Sequence, residues 1–542
     1  MALIYLLATV ATLFAGWRAA RRTRFFLHVF QLETYKPDRY RAWLREHARS
    51  VLATRSHLAG SLLLIGAAIG FSVLSPFWVA VGLLATWTGA FISSRRYRSD
   101  REKKPLAFTA RMTRLAIATG IIALLPVVLG GLGGWQAGGL YGFGWYLLGF
   151  FAADLGAPLW VLLGAYAMAP VERAIQEGFK RQARATLDAR HDLTVIGITG
   201  SFGKTSTKFI LAELLKQKYN VLATPSSYNT PMGICLVVNE KLDPDHQVLV
   251  LEMGMRYRGD IEELCRIAPP DIGVVTTVGP AHLETMGTLD NIAREKGDLL
   301  AHMRPGGPAI LNIDNAHTAA MAERATGDVW RVSVKGHSDA DITAHNIQYD
   351  ASGASFVVRD DTGSEATFET QLLGEHNVLN ILLAVAVGRE MGLRLRQMAH
   401  AVRRVEPIEH RLALRQEGAV TVIDDAFNSN PVGARNAVDI LSAFNGGRRV
   451  IVTPGMVELG ERQAEENRRL GEHIAQRDVD LAVLIGDEQT APIQEGLRAR
   501  RFPDERLKVF PTFFDAQDFL KSYLRPGDVV LYENDLPDQY ET

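Results

Sequence analysis

The sequence predicts a multi-domain chain: an α-helical transmembrane region, then an α/β P-loop ATPase domain, then a C-terminal Rossmann-like α/β domain. Three observations predict it. Long apolar runs crowd the first 170 of the 542 residues. A glycine-rich turn at 200–205 stands between a strand pattern and a helix pattern. From about residue 405 strand and helix patterns alternate. The bulk numbers exclude some alternatives. A net charge of −1 supplies no basic field for nucleic acid. Two cysteines, Cys235 and Cys265, make neither a disulfide framework nor a zinc site, so a reduced setting suits the part that holds them.

The first element is the uncharged run 2–17, which leads straight into Arg18, Arg21, Arg22 and Arg24. A signal peptide has its positive charges before the apolar run, so an uncleaved span is expected. Four more runs follow, at about 58–75, 77–94, 115–134 and 142–168, each near the ~20 residues that cross a bilayer. Loop 18–57 holds ten Lys or Arg and loop 95–114 holds eight, whereas 133–141 and the Ser75-Pro76 turn hold none. The positive-inside rule then places the N-terminus outside, with about five spans in the inner (plasma) membrane and the catalytic remainder in the cytoplasm. Residues 1–170 form this region. Asp154 inside the last run is either functional or paired with a helix neighbour. Residues 171–190 are read as a linker, an amphipathic basic helix for the anionic leaflet or a plain connector.

Residues 191–403 form the ATP-binding domain. Leu193 to Ile198 has strand composition, and Ser206 to Leu215 has apolar residues at helical spacing. Between them lies Gly200-Ser201-Phe202-Gly203-Lys204-Thr205. Glycines let backbone close on phosphate, and free N–H groups at a helix start point at the anion. Lys204 can neutralise terminal phosphates, and Thr205 can bind Mg²⁺. Leu249 to Gly254 is a second strand ending in an acid, Glu252. A third strand, Ile272 to Val278, precedes Gly279-Pro280-Ala281-His282, with Lys296 fourteen residues on. Residues 326–370 alternate apolar and polar between turn residues and read as a small β insertion. Residues 404–542 form the Rossmann-like domain, with strands at 419–424, 449–453, 481–485, 507–510 and 528–532.

Ile198 to Ser206 resembles the ATP loop of the Mur ligases and their folylpolyglutamate synthetase relatives. The likeness continues in order down the chain, over about 190–535. It implies ATP held by Gly200, Ser201, Phe202, Gly203, Lys204, Thr205 and Ser206, by Asn377 and Asn380 of Gly-Glu-His-Asn-Val-Leu-Asn, and by Arg411 and Asp425. It implies two Mg²⁺, with Thr205 and Glu252 at one and His282 and a carbamylated Lys296 at the other; Lys296 is otherwise an ordinary helix lysine. Lys204, Lys296 and His282 carry the catalytic expectation, with no general base assigned. Asn229, Thr230, Asn428, Asn430 and Glu458 are the substrate candidates. Leu311 to Asn315 matches a family strand end. Asp424 to Pro431 and Gly455 to Gly460 are closest to the MurF-like branch, which adds D-alanyl-D-alanine to a UDP-linked muramyl tripeptide.

Three departures bear on substrate. Membrane spans stand where that branch has a UDP-gripping domain, so the acceptor is a muramyl peptide or a lipid-linked, membrane-delivered one. Pro454-Gly455-Met456 lacks the branch's acid. After the last strand Glu533-Asn534-Asp535-Leu536-Pro537-Asp538 replaces a basic loop, which leaves the amine, an amino acid or a dipeptide, open. The expected activity is an ATP-dependent carboxylate–amine ligase of cell-envelope (peptidoglycan) synthesis acting through an acyl phosphate. The competing readings are a membrane-tethered ligase making a poly-amino-acid capsule and a non-catalytic ATP-binding scaffold. A transporter is weaker, since the runs hold few polar groups and show no repeat.

Overall fold

The computed structural model describes residues 2–48, 105–137, 139–226, 228–350, 353–408, 410–426, 430–444 and 446–534. The chain divides into two units, Met1–Ile175 and Gln176–Pro537.

The first unit is helical: α1 (Ala2–Leu32), α2 (Pro37–Glu46), α3 (Ala110–Ala137), α4 (Gly139–Leu155) and the start of α5 (Ala157–Asp188). Helix α1 does not stop at the arginines that follow run 2–17. It continues to Leu32, arginine being a good helix former, and Arg18 and Arg22 are buried against a counter-charge. Arg18 Nε lies 3.1 Å from Asp154 Oδ2 and Arg22 Nη1 lies 3.8 Å from it, all three side chains being buried. Asp154 is therefore paired, as a buried charge must be. Glu172 of α5 accepts from Arg114 of α3 at 2.6 and 3.0 Å. Run 142–168 is not one straight helix. It breaks at Gly156, where the Trp160 ring lies over the glycine, and the helices on either side are bent by 70°. Among the described residues α3 alone is a single helix long and apolar enough to span a bilayer; the bent pair makes at most a second. Leu124, Leu125, Val128, Leu129 and Leu132 are exposed along it. Runs 58–75 and 77–94 lie outside the described residues.

The 170–190 segment is not a separate surface helix. It continues α5, and Ala183 and Leu187, one turn apart, are buried in the core of the second unit with Leu193, Ile234 and Leu264.

The second unit opens with β1 (Thr194–Thr199), α6 (Lys204–Leu215), β2 (Val221–Ala223), α7 (Pro231–Lys241), β3 (Val248–Glu252), α8 (Asp260–Ile267) and β4 (Ile272–Val275). It continues with α9 (Leu283–Met286), α10 (Leu289–His302), β5 (Ala309–Asn312), α11 (Ala316–Ala319), β6 (Val329–Ser333), β7 (Ile342–Asp350), β8 (Gly353–Arg359), β9 (Glu365–Thr370), α12 (Glu375–Glu390) and α13 (Leu395–Val402). The strands form one nine-stranded sheet, ordered β2-β3-β1-β4-β5-β6-β7-β8-β9. Pairing is parallel up to β7 and antiparallel beyond. The expected insertion at 326–370 is thus the continuation of the main sheet: β6 pairs in parallel with β5, and two hairpin pairings extend the edge. Strand alternation sorts the core. Ile196, Ile198, Val248 and Val250 face α6 and α12, while Val195, Leu249 and Leu251 face the opposite layer.

The C-terminal sheet is built from β10 (Ala413–Glu417), β11 (Val420–Asp425), α14 (Pro431–Ala443), β12 (Arg449–Thr453), α15 (Gln463–Ala475), β13 (Leu481–Ile485), α16 (Asp487–Ala499), β14 (Leu507–Phe510), α17 (Phe513–Tyr523) and β15 (Val529–Glu533). Its order is β10-β11-β15-β12-β13-β14, parallel except for β10. The five expected strands agree to within a residue at each end. The extra strand, β10, is a hairpin partner that gives no helix–strand signal.

Candidate active site

Strands β3, β1 and β4 are adjacent and parallel, so the loops leaving their carboxyl ends meet at one edge of the sheet, where α/β folds bind ligands. The loop after β1 is fixed from three sides. Ser201 N–H donates to Thr277 O at 2.6 Å, Ser201 Oγ exchanges hydrogen bonds with Gly279 at 2.9 Å, and the Thr276 hydroxyl donates to Phe202 O. The Phe202 ring covers Gly279. Gly203 has φ 81° and lies so close to Asn380 that a Cβ would meet its Oδ1 at 2.4 Å, so this position needs glycine. Lys204 and Thr205 begin α6, and Ser206 is buried in its first turn. Lys204 Nζ folds back on the loop, donating to Gly200 O at 2.8 Å. Burial lowers its ammonium below the ordinary lysine value, Glu252 opposes this, and Arg411 adds to it.

Glu252 ends β3 beneath the loop. It accepts from Thr205 Oγ1 at 2.9 Å and from Asn229 Nδ2 at 2.9 Å, and Lys208 Nζ stands 3.3 Å away. Burial pushes its carboxyl up, but Lys204, Lys208 and the two hydrogen bonds outweigh burial and leave it below the ordinary carboxylate value. Lys208 was not a sequence candidate. The signal was present: it lies four residues after Lys204, on the same face of α6. Its Nζ also donates to Ser226 O.

Lys296 is fully buried on α10. Burial, with Lys204 next, lowers its ammonium well below the ordinary value against the pull of Glu295. Glu295 is committed elsewhere, accepting from Gly259 N–H and Ile261 N–H at 2.9 Å. His282, at φ 60°, is held through Nδ1 by Glu458 Oε2 of the C-terminal domain at 3.2 Å. Arg256 Nη2 donates to Glu458 Oε1 at 2.7 Å. Neither Arg256 nor this pairing was legible in the sequence. Among the described residues no three His, Cys, Asp or Glu side chains converge on one point. The four expected metal residues fall into Thr205 with Glu252, His282 with Glu458, and a buried Lys296 that feels Lys204 and Glu295.

Arg411 reaches from the C-terminal domain to the loop, with Nη2 3.5 Å from Thr205 Oγ1. Asp425, at the end of β11, is register partner to Glu533 of β15. Burial and then Glu533 raise the Asp425 carboxyl well above its ordinary value, against Arg411. Glu533 accepts from Thr453 Oγ1 at 2.8 Å and Asn534 Nδ2 donates to Gly455 O at 2.6 Å, both residues being buried. The expected acidic tail thus begins as interior structure; Asp535 and Asp538 lie outside the described residues. Gly455 has φ 81° and abuts Asn467.

Several candidates are engaged in holding the fold. Asn377 Nδ2 donates to Leu373 O at 2.8 Å, Asn380 Nδ2 donates to Asn377 Oδ1 at 3.1 Å, and Asn380 Oδ1 accepts from Thr207 Oγ1 at 3.2 Å. This buried ladder supports the loop from below rather than offering free amide edges to a base. Thr230 caps α7 through Gly233 N–H, and Asn430 caps α14 through Val432 and Gly433 N–H. Asn312 and Asn315 tie the end of β5 to Thr277 Oγ1 and Val278 O. Asn428 lies outside the described residues.

Two family models match the chain: the Mur ligase middle domain over residues 198–388, and the Mur ligase, glutamate ligase domain over residues 410–532. The chain is 35% identical over 361 residues to a UDP-N-acetylmuramoyl-tripeptide--D-alanyl-D-alanine ligase of Mycobacterium tuberculosis, covering 62% of this chain and 70% of that protein. The protein of the same name from Synechocystis is 32% identical over 346 residues, covering 64% and 72%. Among solved structures, MurF from Acinetobacter baumannii superposes with a TM-score of 0.61 at 27% identity, covering 67% of this chain and 78% of that one. MurF ligase from Thermotoga maritima in complex with ADP gives 0.60 at 26%, covering 68% and 81%.

Proposed function

The chain belongs to the Mur ligase family, and we propose that it joins D-alanyl-D-alanine, or a closely similar amine, to the terminal carboxylate of a muramyl tripeptide at the expense of ATP. The observation that carries this reading is the meeting at Thr205: the helix-start hydroxyl bonds Glu252 from β3 and is approached by Arg411 from the other domain. A phosphate loop, an acid and a cation from a second domain at one point suit a triphosphate clasped between domains.

In the reaction, an acceptor carboxylate oxygen attacks the γ-phosphorus of ATP, ADP leaves, and an acyl phosphate forms. The amine then attacks the acyl carbon, the C–O bond breaks, phosphate departs and the amine loses a proton. Gly200 to Ser206 cradle the phosphates, and Lys204 and Arg411 offset the charge that builds there. Thr205 and Glu252 present hard oxygens 2.9 Å apart, which fits Mg²⁺ held by one carboxylate, a hydroxyl and phosphate oxygens. Such an ion would supply charge neutralisation. Glu458 holds His282 through Nδ1, which leaves Nε2 as the ring nitrogen that could meet a second ion. Lys296, driven toward the neutral amine by burial, is suited to react with CO₂ and become the carbamate that supports that ion.

The apolar stripe exposed along α3 supports a membrane-anchored form, and the excess of Lys and Arg in loops 18–57 and 95–114 favours a cytoplasmic ligase unit. The acceptor is then a UDP-linked muramyl peptide or its lipid-linked counterpart. Phosphate release by detergent-purified protein tests the reading, with D-Ala-D-Ala, D-Ala and glutamate offered against both acceptors and Lys204→Ala as control. Release that needs one acceptor and one amine, and vanishes in the variant, is expected. ATP binding without turnover on any pair would overturn it in favour of a scaffold or another polymer acceptor.

A further inference from the structure

Glu458 lies outside the ATP cradle, yet it is gripped twice by the middle domain. Its Oε1 accepts from Arg256 at 2.7 Å, and its Oε2 meets His282 Nδ1 at 3.2 Å. Three further observations make this more than a surface ion pair. Both His282 (φ 60°) and Glu458 (φ 63°) occupy the left-handed region, which costs a non-glycine residue and persists only where surroundings impose it. The Arg256 main chain is tied to the turn that carries His282: Thr285 Oγ1 donates to Arg256 O at 2.6 Å and to His282 O at 3.1 Å. Gly460, two residues past Glu458, packs against the Glu284 backbone at van der Waals distance from where a Cβ would stand, so the C-terminal chain is seated on α9 itself.

We propose that Glu458 is a positioning residue, a carboxylate supplied by the C-terminal domain that orients the His282 imidazole through Nδ1 and turns Nε2 toward the site. Arg256 fixes the carboxylate so that it serves His282 and not the substrate. His282 is then competent only while the two ligase domains are docked, which couples nucleotide-phase closure to the readiness of the middle domain. This rests on the ligase reading for its consequence, but not for its geometry. Imidazoles that bind metal commonly donate their other nitrogen to a carboxylate, and losing that partner costs about 10–100-fold in metal affinity or activity.

The experiment uses the full chain in detergent and compares wild type with Glu458→Ala, Glu458→Asp, Arg256→Ala, His282→Ala and the His282→Ala/Glu458→Ala double variant. Amide hydrogen exchange over 281–286 is read without nucleotide. Mn²⁺ binding with ADP is read by electron paramagnetic resonance, and kcat and KM are measured where turnover exists. Glu458→Ala and Arg256→Ala are expected to speed exchange over 281–286 and to weaken Mn²⁺ about 10-fold or more. They should lower kcat with little change in KM for the amine, with partial recovery in Glu458→Asp. The double variant should be no worse than His282→Ala. Multiplicative losses in the double variant, or a raised amine KM with unchanged exchange and Mn²⁺ binding, would overturn the proposal and make Glu458 a substrate contact. Exchange and Mn²⁺ binding need no turnover, so failure of every substrate pair would sink the ligase reading while these readouts still judge Glu458.

Discussion

At the scale of residues, the site is governed by how buried charges are satisfied. Glu252 stays ionised because Lys204, Lys208, Asn229 and Thr205 outweigh the cost of burial. A carboxylate whose folded pKa lies below its ordinary value contributes stability above that ordinary value, and the contribution is lost as pH falls through the folded value. Lys208→Met removes one partner of a fully buried pair, so it should cost about 3–5 kcal/mol and raise the pH at which both stability and activity fail on the acid side. Thermal unfolding scanned from pH 4 to 8 checks this; an unmoved acid limb would mean Thr205 and Asn229 suffice. Lys296 gives a slope of the same sign in a different window, but as a cost of burial and not as a gain. Its folded pKa lies well below the ordinary lysine value, so between the two the unfolded chain binds a proton that the folded chain lacks, and stability rises with pH across that window. Lys296→Met should abolish the slope and raise the melting temperature near neutrality while activity falls. Labelled bicarbonate should give a carbamate carbon resonance that this variant loses; a resonance that persists would place the carbamate elsewhere.

At the scale of elements, what the sequence revealed depended on whether a signal was local. The five expected strands of the C-terminal domain were legible because short, mostly apolar runs between helix patterns have few other readings. The stretch 326–370 was legible as β structure, but its place was not, because the parallel pairing of β6 with β5 joins residues twenty apart and leaves no mark in alternation. The burial of Glu533 was hidden for the same reason: it is interior because β15 lies between β11 and β12. Residues 170–190 showed a face with Ala183 and Leu187 one turn apart, and that spacing cannot say whether lipid or protein covers it. Protein covers it. Leu187→Ala should therefore destabilise the ligase unit by about 2–5 kcal/mol, lowering the melting temperature of an ADP-bound fragment beginning at Gln176. An unchanged midpoint would return the helix to a role outside the core.

At the scale of the whole molecule, neither family model reaches residues before 198, and the elements among the described residues before β1 are all helices. The phosphate loop, Glu252, His282, Lys296 and Arg411, to which the proposed ATP chemistry is assigned, all belong to the second unit. If the first unit serves delivery, its effect must depend on where the acceptor resides. Confinement to one surface turns an encounter in bulk into one at an effective concentration that raises apparent affinity about 10²–10⁴-fold without a new contact. A fragment beginning at Gln176 should then turn over a soluble UDP-linked muramyl peptide at the rate of the full chain. It should lose about 100-fold in kcat/KM on a lipid-linked acceptor in the same vesicles. Equal losses on both acceptors would mean that the first unit stabilises the ligase rather than serving it. No loss on either would leave it an anchor, and the acceptor would then be a soluble nucleotide-linked one.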